Sequence, residues 1–265
     1  MQLKVMSWNT WLGQNINGIV DHISQISPDI VGLQEIVEGY PSSQSPNTAY
    51  SICEQLTARG QNYYVIYFPA FESDRHPTRH KIGNAILSRY PIKKPKPHFL
   101  SDLEMYLHRE ATTPPRDAEP RIAIEAQIEV GSKTIRVINT HLGVSEEFKP
   151  TEYTDVQMER LMDLIGTGKN TVLMGDFNAT PGSEYIARIS RVLQNTDTEQ
   201  LATWPVIFEG AKMHVERYGS HDRTPLLLTH RLDQIFIGGG VEVKGFTLGE
   251  SKASDHKSLI AVLEI

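Results

Sequence analysis

Cysteine is nearly absent from this 265-residue chain, whose only one is Cys53. A single cysteine forms no intrachain disulfide, so the fold does not depend on an oxidising compartment. Long apolar runs are absent too, since no stretch approaches the roughly 18 residues of a membrane span. The segment Met1–Met6 leads directly into a strand pattern and lacks the apolar core of a signal peptide. We therefore expect a soluble protein of the cytoplasm.

An excess of positive charge is also missing. The 26 Lys and Arg residues are outnumbered by 32 Asp and Glu residues, which gives a formal net charge of −6. This balance excludes a scaffold coated in positive charge, although it leaves a local basic groove open. With 39% hydrophobic residues and no low-complexity segment, the chain does not belong to a disordered class.

Strand and helix patterns alternate along the chain, which favours a mixed α/β fold. The clearest strand pair is a hairpin in which apolar residues alternate over 122–130 and 135–139, around the turn Gly131-Ser132. Strands pair in hairpins too often for a purely parallel sheet, and they are too many for one sheet with short edges. Two stacked sheets flanked by helices satisfy the pattern. Since no linker separates two cores, we expect residues 1–265 to form a single domain.

Two segments rich in Pro, His, Lys and Arg, 71–81 and 91–120, are predicted to be long loops. Long loops in compact domains are usually functional or mobile. Both flank predicted strands, and together they would place a lip of positive charge near the ends of those strands. The basic residues of this predicted lip are Arg75, His76, Arg79, His80, Lys81, Lys93, Lys94, Lys96, His98, His108, Arg109, Arg116 and Arg121.

Polar side chains able to bind a metal or carry a proton recur at the ends of apolar strands. They are Asn9, Glu35, His141, Asp176, Asn178, Asp255 and His256. Each alone has an ordinary alternative, as a turn residue, a helix cap, an exposed acid or a hydrogen-bonded structural histidine. Together, three carboxylates and two amides without a thiolate form a hard oxygen set, which suits Mg²⁺ or Mn²⁺ rather than structural Zn²⁺.

Seven short strings occur in one order across residues 5–262. They are Ser7-Trp8-Asn9-Thr10, Leu33-Gln34-Glu35, the run Asn84 to Pro91, Asn139-Thr140-His141-Leu142, Gly175-Asp176-Phe177-Asn178, Arg231-Leu232-Asp233 and Ser254-Asp255-His256. This combination resembles the endonuclease/exonuclease/phosphatase superfamily, which includes deoxyribonuclease I-like nucleases, abasic-site endonucleases, neutral sphingomyelinases, inositol polyphosphate phosphatases and deadenylases. The resemblance implies a four-layer α/β/β/α sandwich of two mixed sheets flanked by helices, with the active site at the edge where strand ends meet.

The resemblance also implies a metal-dependent site. It makes Glu35 the principal metal ligand, supported by Asn9 and, across the site, by Asp255. The expected cofactor is Mg²⁺, with Mn²⁺ as a possible substitute. Hydrolysis of a phosphoester needs a cation to take up oxyanion charge, an in-line water and a group that manages the proton of that water.

The remaining matched positions imply the catalytic groups. Asp176 and Asn178 correspond to the pair that orients the attacking water and contacts the phosphoryl group. His256 corresponds to the catalytic histidine, with Asp233 as its orienting acid, and His141 to a second histidine that donates to phosphate oxygens. Either Asp176 or His256 takes the proton, and the sequence leaves both assignments open.

We therefore expect a Mg²⁺-dependent phosphoesterase, with a nucleic-acid phosphodiester as the first substrate class because of the predicted basic lip. A phospholipid or a sugar or inositol phosphate ester is the alternative. His141 stands where abasic-site endonucleases usually carry an aromatic residue, which makes that subgroup less favoured. A scaffold that has lost its chemistry would lack a ligand or a histidine, and none of the matched positions is missing.

Overall fold

Two six-stranded β-sheets pack face to face, with α-helices on their outer faces, so the predicted α/β sandwich is confirmed. This architecture comes from a computed structural model that describes residues 1–39, 46–73, 79–101, 116–199, 201–204 and 230–265. The helices are α1 (Ile16–Ile26), α2 (Thr48–Ala58), α3 (Glu152–Ile165) and α4 (Glu184–Ser190). Within the described ranges, none of the helices has the length and apolar character needed to span a bilayer.

Twelve strands build the two sheets. In chain order they are β1 (Gln2–Asn9), β2 (Ile30–Glu38), β3 (Tyr64–Ser73), β4 (His80–Ser88), β5 (Ile92–Phe99), β6 (Ile122–Val130), β7 (Lys133–His141), β8 (Thr171–Asp176), β9 (Gln194–Asn195), β10 (Asp233–Ile237), β11 (Glu242–Leu248) and β12 (Leu259–Glu264). The first sheet has the order β11-β12-β1-β2-β4-β3, and the second has the order β5-β6-β7-β8-β10-β9.

Both sheets share one pattern of connections. Each contains a single parallel pair at its centre, β1 with β2 and β7 with β8, and its other neighbours are antiparallel. Helix α1 connects the first parallel pair and α3 connects the second. Because the strands of a parallel pair end at the same edge of a sheet, residues that follow them converge there. This geometry positions the site.

Three hydrophobic clusters separate the four layers. The inner faces of the two sheets contribute the first, which includes Val5, Ile30, Ile124, Val137 and Val172. The second lies between the first sheet and its helices and includes Trp8, Ile19, Ile23, Ile52 and Leu56. The third lies between the second sheet and its helices and includes Ile138, Met158, Leu161, Leu173 and Ile186. In every layer, the apolar residues that recur with the period of a helix or a strand therefore form the buried face.

The prediction of a loop over 91–120 is wrong for its first part, because residues Ile92–Phe99 form β5. Two prolines, Pro95 and Pro97, concealed this strand in the sequence. They are tolerated because β5 is an edge strand, where a missing N–H breaks no ladder, and because its pairing with β6 shifts register between Lys93 and Lys96. The predicted loop over 71–81 is also short, since β3 runs to Ser73 and β4 starts at His80.

A buried amide joins the two sheets. Asn139 of β7 donates from Nδ2 to the carbonyls of Leu33 and Ala85 in the first sheet, at 2.9 Å each, and accepts from Gln34 Nε2 at 2.7 Å. Gly32 leaves space for this amide, since a Cβ there would lie 3.0 Å from the Asn139 Cγ. Buried polar groups are costly unless they are paired, so this bridge fixes how the two sheets face each other.

We expect Asn139→Leu to lower the free energy of unfolding by about 3 kcal/mol, because it removes three buried hydrogen bonds, two to carbonyls of the first sheet and one from Gln34. Urea unfolding measures the change. Thr134→Leu, an exposed position on the same strand, is the matched control and should shift stability by no more than about 0.5 kcal/mol. Equal shifts for the two variants would contradict the role given to the bridge.

Candidate active site

The site lies where the carboxyl ends of both parallel strand pairs meet. Asn9 ends β1 opposite Gln34, and in the second sheet His141 pairs with Asp176 at the ends of β7 and β8. Most of the residues predicted from strand ends are thereby brought together from distant parts of the chain. The connection between β11 and β12 supplies Asp255 and His256 to the same edge.

Glu35 reaches the site from within a strand, which the sequence did not predict. β2 continues to Glu38, and its pairing with β4 shifts register between Leu33 and Ile36. At this bulge Glu35 has a φ of +55°, a left-handed conformation that a non-glycine residue adopts only when its surroundings enforce it. Bulges of this kind redirect one side chain, and here the redirected side chain is the half-buried Glu35 carboxylate.

Asn9 links the acidic side chains of the two sheets. Its Nδ2 donates to Glu35 Oε1 at 3.3 Å and to Asp176 Oδ2 at 3.0 Å. Its Oδ1 accepts from the backbone N–H of Trp11 at 3.0 Å, which holds the amide in that orientation. Asn9 therefore keeps two carboxylates at a fixed separation.

The string Gly175-Asp176-Phe177-Asn178 forms a tight turn after β8. A Cβ at Gly175 would lie 2.0 Å from the Thr140 carbonyl oxygen, so only glycine fits beside β7. Asp176 Oδ1 accepts from the Asn178 N–H at 2.9 Å, and Asn178 Nδ2 donates to the Leu142 carbonyl at 2.9 Å. The turn thereby presents Asp176 Oδ2 and the Asn178 amide to the site.

Asp233 holds His256 in place. His256 Nδ1 lies 2.9 Å from Asp233 Oδ2, and its Nε2 lies 3.8 Å from Asp176 Oδ2. The backbone of the histidine is held as well, because Trp8 Nε1 donates to its carbonyl at 2.9 Å and its N–H donates to Ser254 Oγ at 3.2 Å. An imidazole fixed on one nitrogen by a carboxylate has a defined orientation.

Crowded carboxylates determine the protonation of the site. Burial, followed by the charge of Asp255, raises the pKa of Glu35, and burial together with Asp233 raises the pKa of Asp176 to about 7. Burial acts to lower the pKa of His256, but Asp233, Asp255 and Asp176 outweigh it and raise that pKa to about 10. His256 is thus a cation at neutral pH, surrounded by acids.

Arg121 is a site residue that sequence reasoning counted only as local charge. Its Nη1 lies 3.2 Å from His141 Nδ1, and its Nη2 donates to Glu119 Oε2 at 3.2 Å. Burial, the Arg121 charge and the His256 charge hold the pKa of His141 well below its usual value. His141 is therefore neutral, and its Nε2 lies 3.1 Å from Asn178 Nδ2 and 3.6 Å from Asp176 Oδ2, so a donor faces each of its ring nitrogens.

The donor atoms of the site suit a hard divalent cation. Ligand atoms of Asp176, Asp233 and His256 all lie within 4.8 Å of one another, a group that differs from the predicted ligands Glu35, Asn9 and Asp255. Oδ1 of Asp233 is buried and has no hydrogen-bond partner among the described residues, and burial with like charge raises the pKa of neighbouring acids. A cation relieves that repulsion, and oxygen donors are the ligands that Mg²⁺ and Mn²⁺ prefer.

Among the described residues, several members of the predicted basic lip lie away from the site or form ion pairs. Lys93 pairs with Gln127, at the end of the second sheet opposite His141, so Lys93 and its neighbour Lys94 lie away from the site. Lys81 lies on β4 opposite Glu38, the last residue of β2, and its ammonium forms an ion pair with the Glu38 carboxylate at 2.9 Å. Four further members of the predicted lip lie outside the described residues, namely Arg75, His76, His108 and Arg109.

Comparison with known proteins identifies similar chains. The model of the Endonuclease/Exonuclease/phosphatase family matches residues 6–256. An endonuclease/exonuclease/phosphatase from Beutenbergia cavernae has 20% identity and a TM-score of 0.76, with 100% of this chain and 72% of that chain covered. A family protein from Leptotrichia buccalis has 18% identity and a TM-score of 0.71, with 99% and 100% covered.

D. rerio TDP2 in complex with a single-strand DNA product is a further structural neighbour. It has 15% identity and a TM-score of 0.59, with 100% of this chain and 99% of that chain covered. At these identities the neighbours show a shared fold. No curated protein sequence matches this chain.

The contact between Asp233 and His256 predicts a change in titration. Asp233→Asn removes the charge that most raises the pKa of His256, so this pKa should fall from about 10 by at least about one unit. NMR titration of the imidazole signals measures it. His22, which bonds to Ser258 Oγ at 2.8 Å instead, is the internal control and should titrate as before. An unaltered His256 would contradict the pairing.

Proposed function

The chain belongs to the endonuclease/exonuclease/phosphatase family, and from this premise we propose that it is a Mg²⁺-dependent hydrolase that cleaves a nucleic-acid phosphodiester. Members of the family generally hydrolyse phosphoester bonds. The observation that carries the proposal is the convergence of the Asp233–His256 pair with Asp176 and Glu35 at one edge of the sandwich. These groups supply a place for a cation, an acceptor for a proton and an oriented cationic histidine.

We assign the cation to Glu35 as principal ligand, with Asp255 across the site and Asn9 in support. The bulge in β2 directs Glu35 inward, and the Asn9 amide fixes its separation from Asp176. Asp255 is itself oriented by Trp204 Nε1, which donates to its Oδ2 at 3.2 Å. When bound, the cation would take up charge on the phosphoryl oxygens.

Charge distribution supports Asp176 as the group that accepts the proton of the attacking water. Its pKa of about 7 lies near the working pH, where a general base is most effective. The neighbouring acids keep His256 protonated, so it suits the donation of a hydrogen bond to the phosphoryl group. Asn178, held by Leu142, would orient the water or a phosphoryl oxygen.

His141 completes the arrangement as a neutral donor. Its Nε2 faces the same side as Asp176 and also lies 3.1 Å from the Asn178 amide nitrogen. A neutral imidazole donates to a phosphate oxygen without an added charge in the site. Glu119 holds the Arg121 guanidinium in turn, so the position of His141 depends on a chain of buried contacts.

Metal dependence is tested with two variants on one strand. Glu35→Gln keeps the side-chain shape but removes the charge that faces the cation, so turnover should fall at least about a hundredfold, or about 2.7 kcal/mol. Glu38→Gln is the matched control, since Glu38 lies three residues further along β2 and its carboxylate forms an ion pair with Lys81 at the surface.

The measurement is hydrolysis of a phosphodiester in titrations of Mg²⁺ and Mn²⁺, with EDTA as the metal-free reference. Glu35→Gln should also raise the concentration of cation that gives half-maximal activity, whereas Glu38→Gln should behave as wild type. Full wild-type activity in EDTA would refute the metal-dependent function.

Substrate class is tested with a panel of single- and double-stranded oligonucleotides, sphingomyelin and inositol phosphates. We expect the oligonucleotides to be cleaved, with less than a tenfold loss of kcat/KM between about 50 and 200 mM salt, because few basic residues of the described ranges line the site. A protein with six to ten phosphate contacts loses about 10³- to 10⁵-fold over that range. Cleavage of the lipid or the small phosphates alone would overturn this substrate class and leave the metal chemistry standing.

A further inference from the structure

Three aromatic rings lie beside the site, and we call Phe148, Trp204 and His230 the aromatic platform. The rings of Phe148 and Trp204 meet edge to face with centroids 6.0 Å apart, and those of Phe148 and His230 are tilted with centroids 4.9 Å apart. All three side chains are half-buried rather than enclosed in the core. Their positions are far apart in the sequence, so only the fold brings them together.

The platform is attached directly to the catalytic groups. Trp204 Nε1 donates to Asp255 Oδ2 at 3.2 Å, and the Trp204 ring centroid lies 6.1 Å from that of His256. Trp204 and His230 also exchange backbone hydrogen bonds of 3.0 and 3.1 Å, and the Lys257 N–H donates to the Thr203 carbonyl at 2.8 Å. The rings therefore keep a fixed distance from the site.

Phe148 is held at this edge by a strained turn. Glu147 and Phe148 have φ values of +53° and +55°, a left-handed conformation that costs free energy in residues other than glycine. Strain of this kind persists where the surrounding structure enforces it, and it concentrates at sites that bind ligands. The turn keeps the ring half-exposed, where it can contact a bound molecule.

We propose that the aromatic platform is a subsite on which a nucleobase next to the scissile phosphodiester stacks. The inference rests on the proposed function and names the part of the substrate that this face recognises. A nucleotide joins its base to its phosphate through one sugar, so the base falls beside the groups that bind the phosphate. Stacking on aromatic rings accepts every base, which predicts weak sequence preference.

Charge around the platform favours a base over a membrane lipid. Glu146, Glu147 and Lys149 flank Phe148 and are exposed, and the last two form an ion pair with each other. A membrane surface would require a continuous apolar face at this point. A nucleobase is a single flat ring system, and the area of the aromatic platform is sufficient for it.

The experiment compares two short phosphodiester oligomers of equal length, oligothymidylate and an oligomer whose sugars are base-free tetrahydrofuran units. Their backbone charge is the same, so the ratio of kcat/KM values isolates the contribution of the bases. We expect wild type to favour oligothymidylate at least about tenfold, within the range measured for base–aromatic stacking.

Variants assign that preference to the platform. Phe148→Leu should reduce the ratio at least about fivefold, whereas Phe148→Tyr and Trp204→Phe, which keep a ring, should retain most of it. Tyr64→Leu removes an exposed aromatic residue at the opposite end of the first sheet, and it should leave the ratio unchanged.

Each possible result supports or contradicts either the subsite or the proposed function. Equal kcat/KM values of wild type for the two oligomers would overturn the subsite and leave the proposed hydrolysis intact. A preference that survives in Phe148→Leu would overturn the platform as its source. Cleavage of neither oligomer would refute the proposed function, and the subsite with it. A preference for oligothymidylate that is lost in Phe148→Leu and kept in Phe148→Tyr would support the stacking role.

Discussion

Two β-sheets stacked face to face share no backbone ladder, so the relative position of their strand ends depends on side chains that cross between them. Asn139 makes this connection with hydrogen bonds to two carbonyls and to Gln34 in the opposite sheet. Asn84 adds a bond from β4 to the Ile122 carbonyl at 3.1 Å, and Asn9 adds one from β1 to Asp176 Oδ2 at 3.0 Å. The amides form a line that begins in the buried interface and ends at the site. A shift in the sheets would therefore separate the acids that chemistry requires to be close.

This arrangement imposes an electrostatic cost on the folded chain. Four carboxylates are gathered at one edge, and burial removes the water that would otherwise screen them. His256 and Arg121 offset part of the repulsion, and raised pKa values of Glu35 and Asp176 record the remainder. Stable packing alone would not favour such a cluster, since apolar residues of similar volume are cheaper to bury. The cost is understandable where a cation and a phosphoryl group are to be bound.

Sequence patterns predicted much of the fold and the elements that bring the site together, because strand periodicity and polar residues at strand ends are local signals. They predicted Glu35 as a site residue at the end of a strand but not its position within β2, since a bulge adds one residue without changing the apolar pattern around it. They missed β5 because two prolines disguise an edge strand. They gave Arg121 no role, because its contact with His141 depends on the pairing of β6 with β7. The residues that sequence reasoning misplaced are those positioned by strand pairing and tertiary contact.

The same distinction applies to the residues that would attract the proposed anionic substrate. Basic residues that are adjacent in the sequence were expected to combine into one positive lip, but strand pairing separates and neutralises them. Lys93 faces Glu129 at 3.7 Å and Lys81 faces Glu38 at 2.9 Å, each across a pair of antiparallel strands. Exposed pairs of this kind contribute little to stability, yet each reduces the positive charge that these lysines present to a polyanion. The proposed substrate then relies more on short-range contacts, and a half-exposed group of rings beside His256 is one means of supplying them.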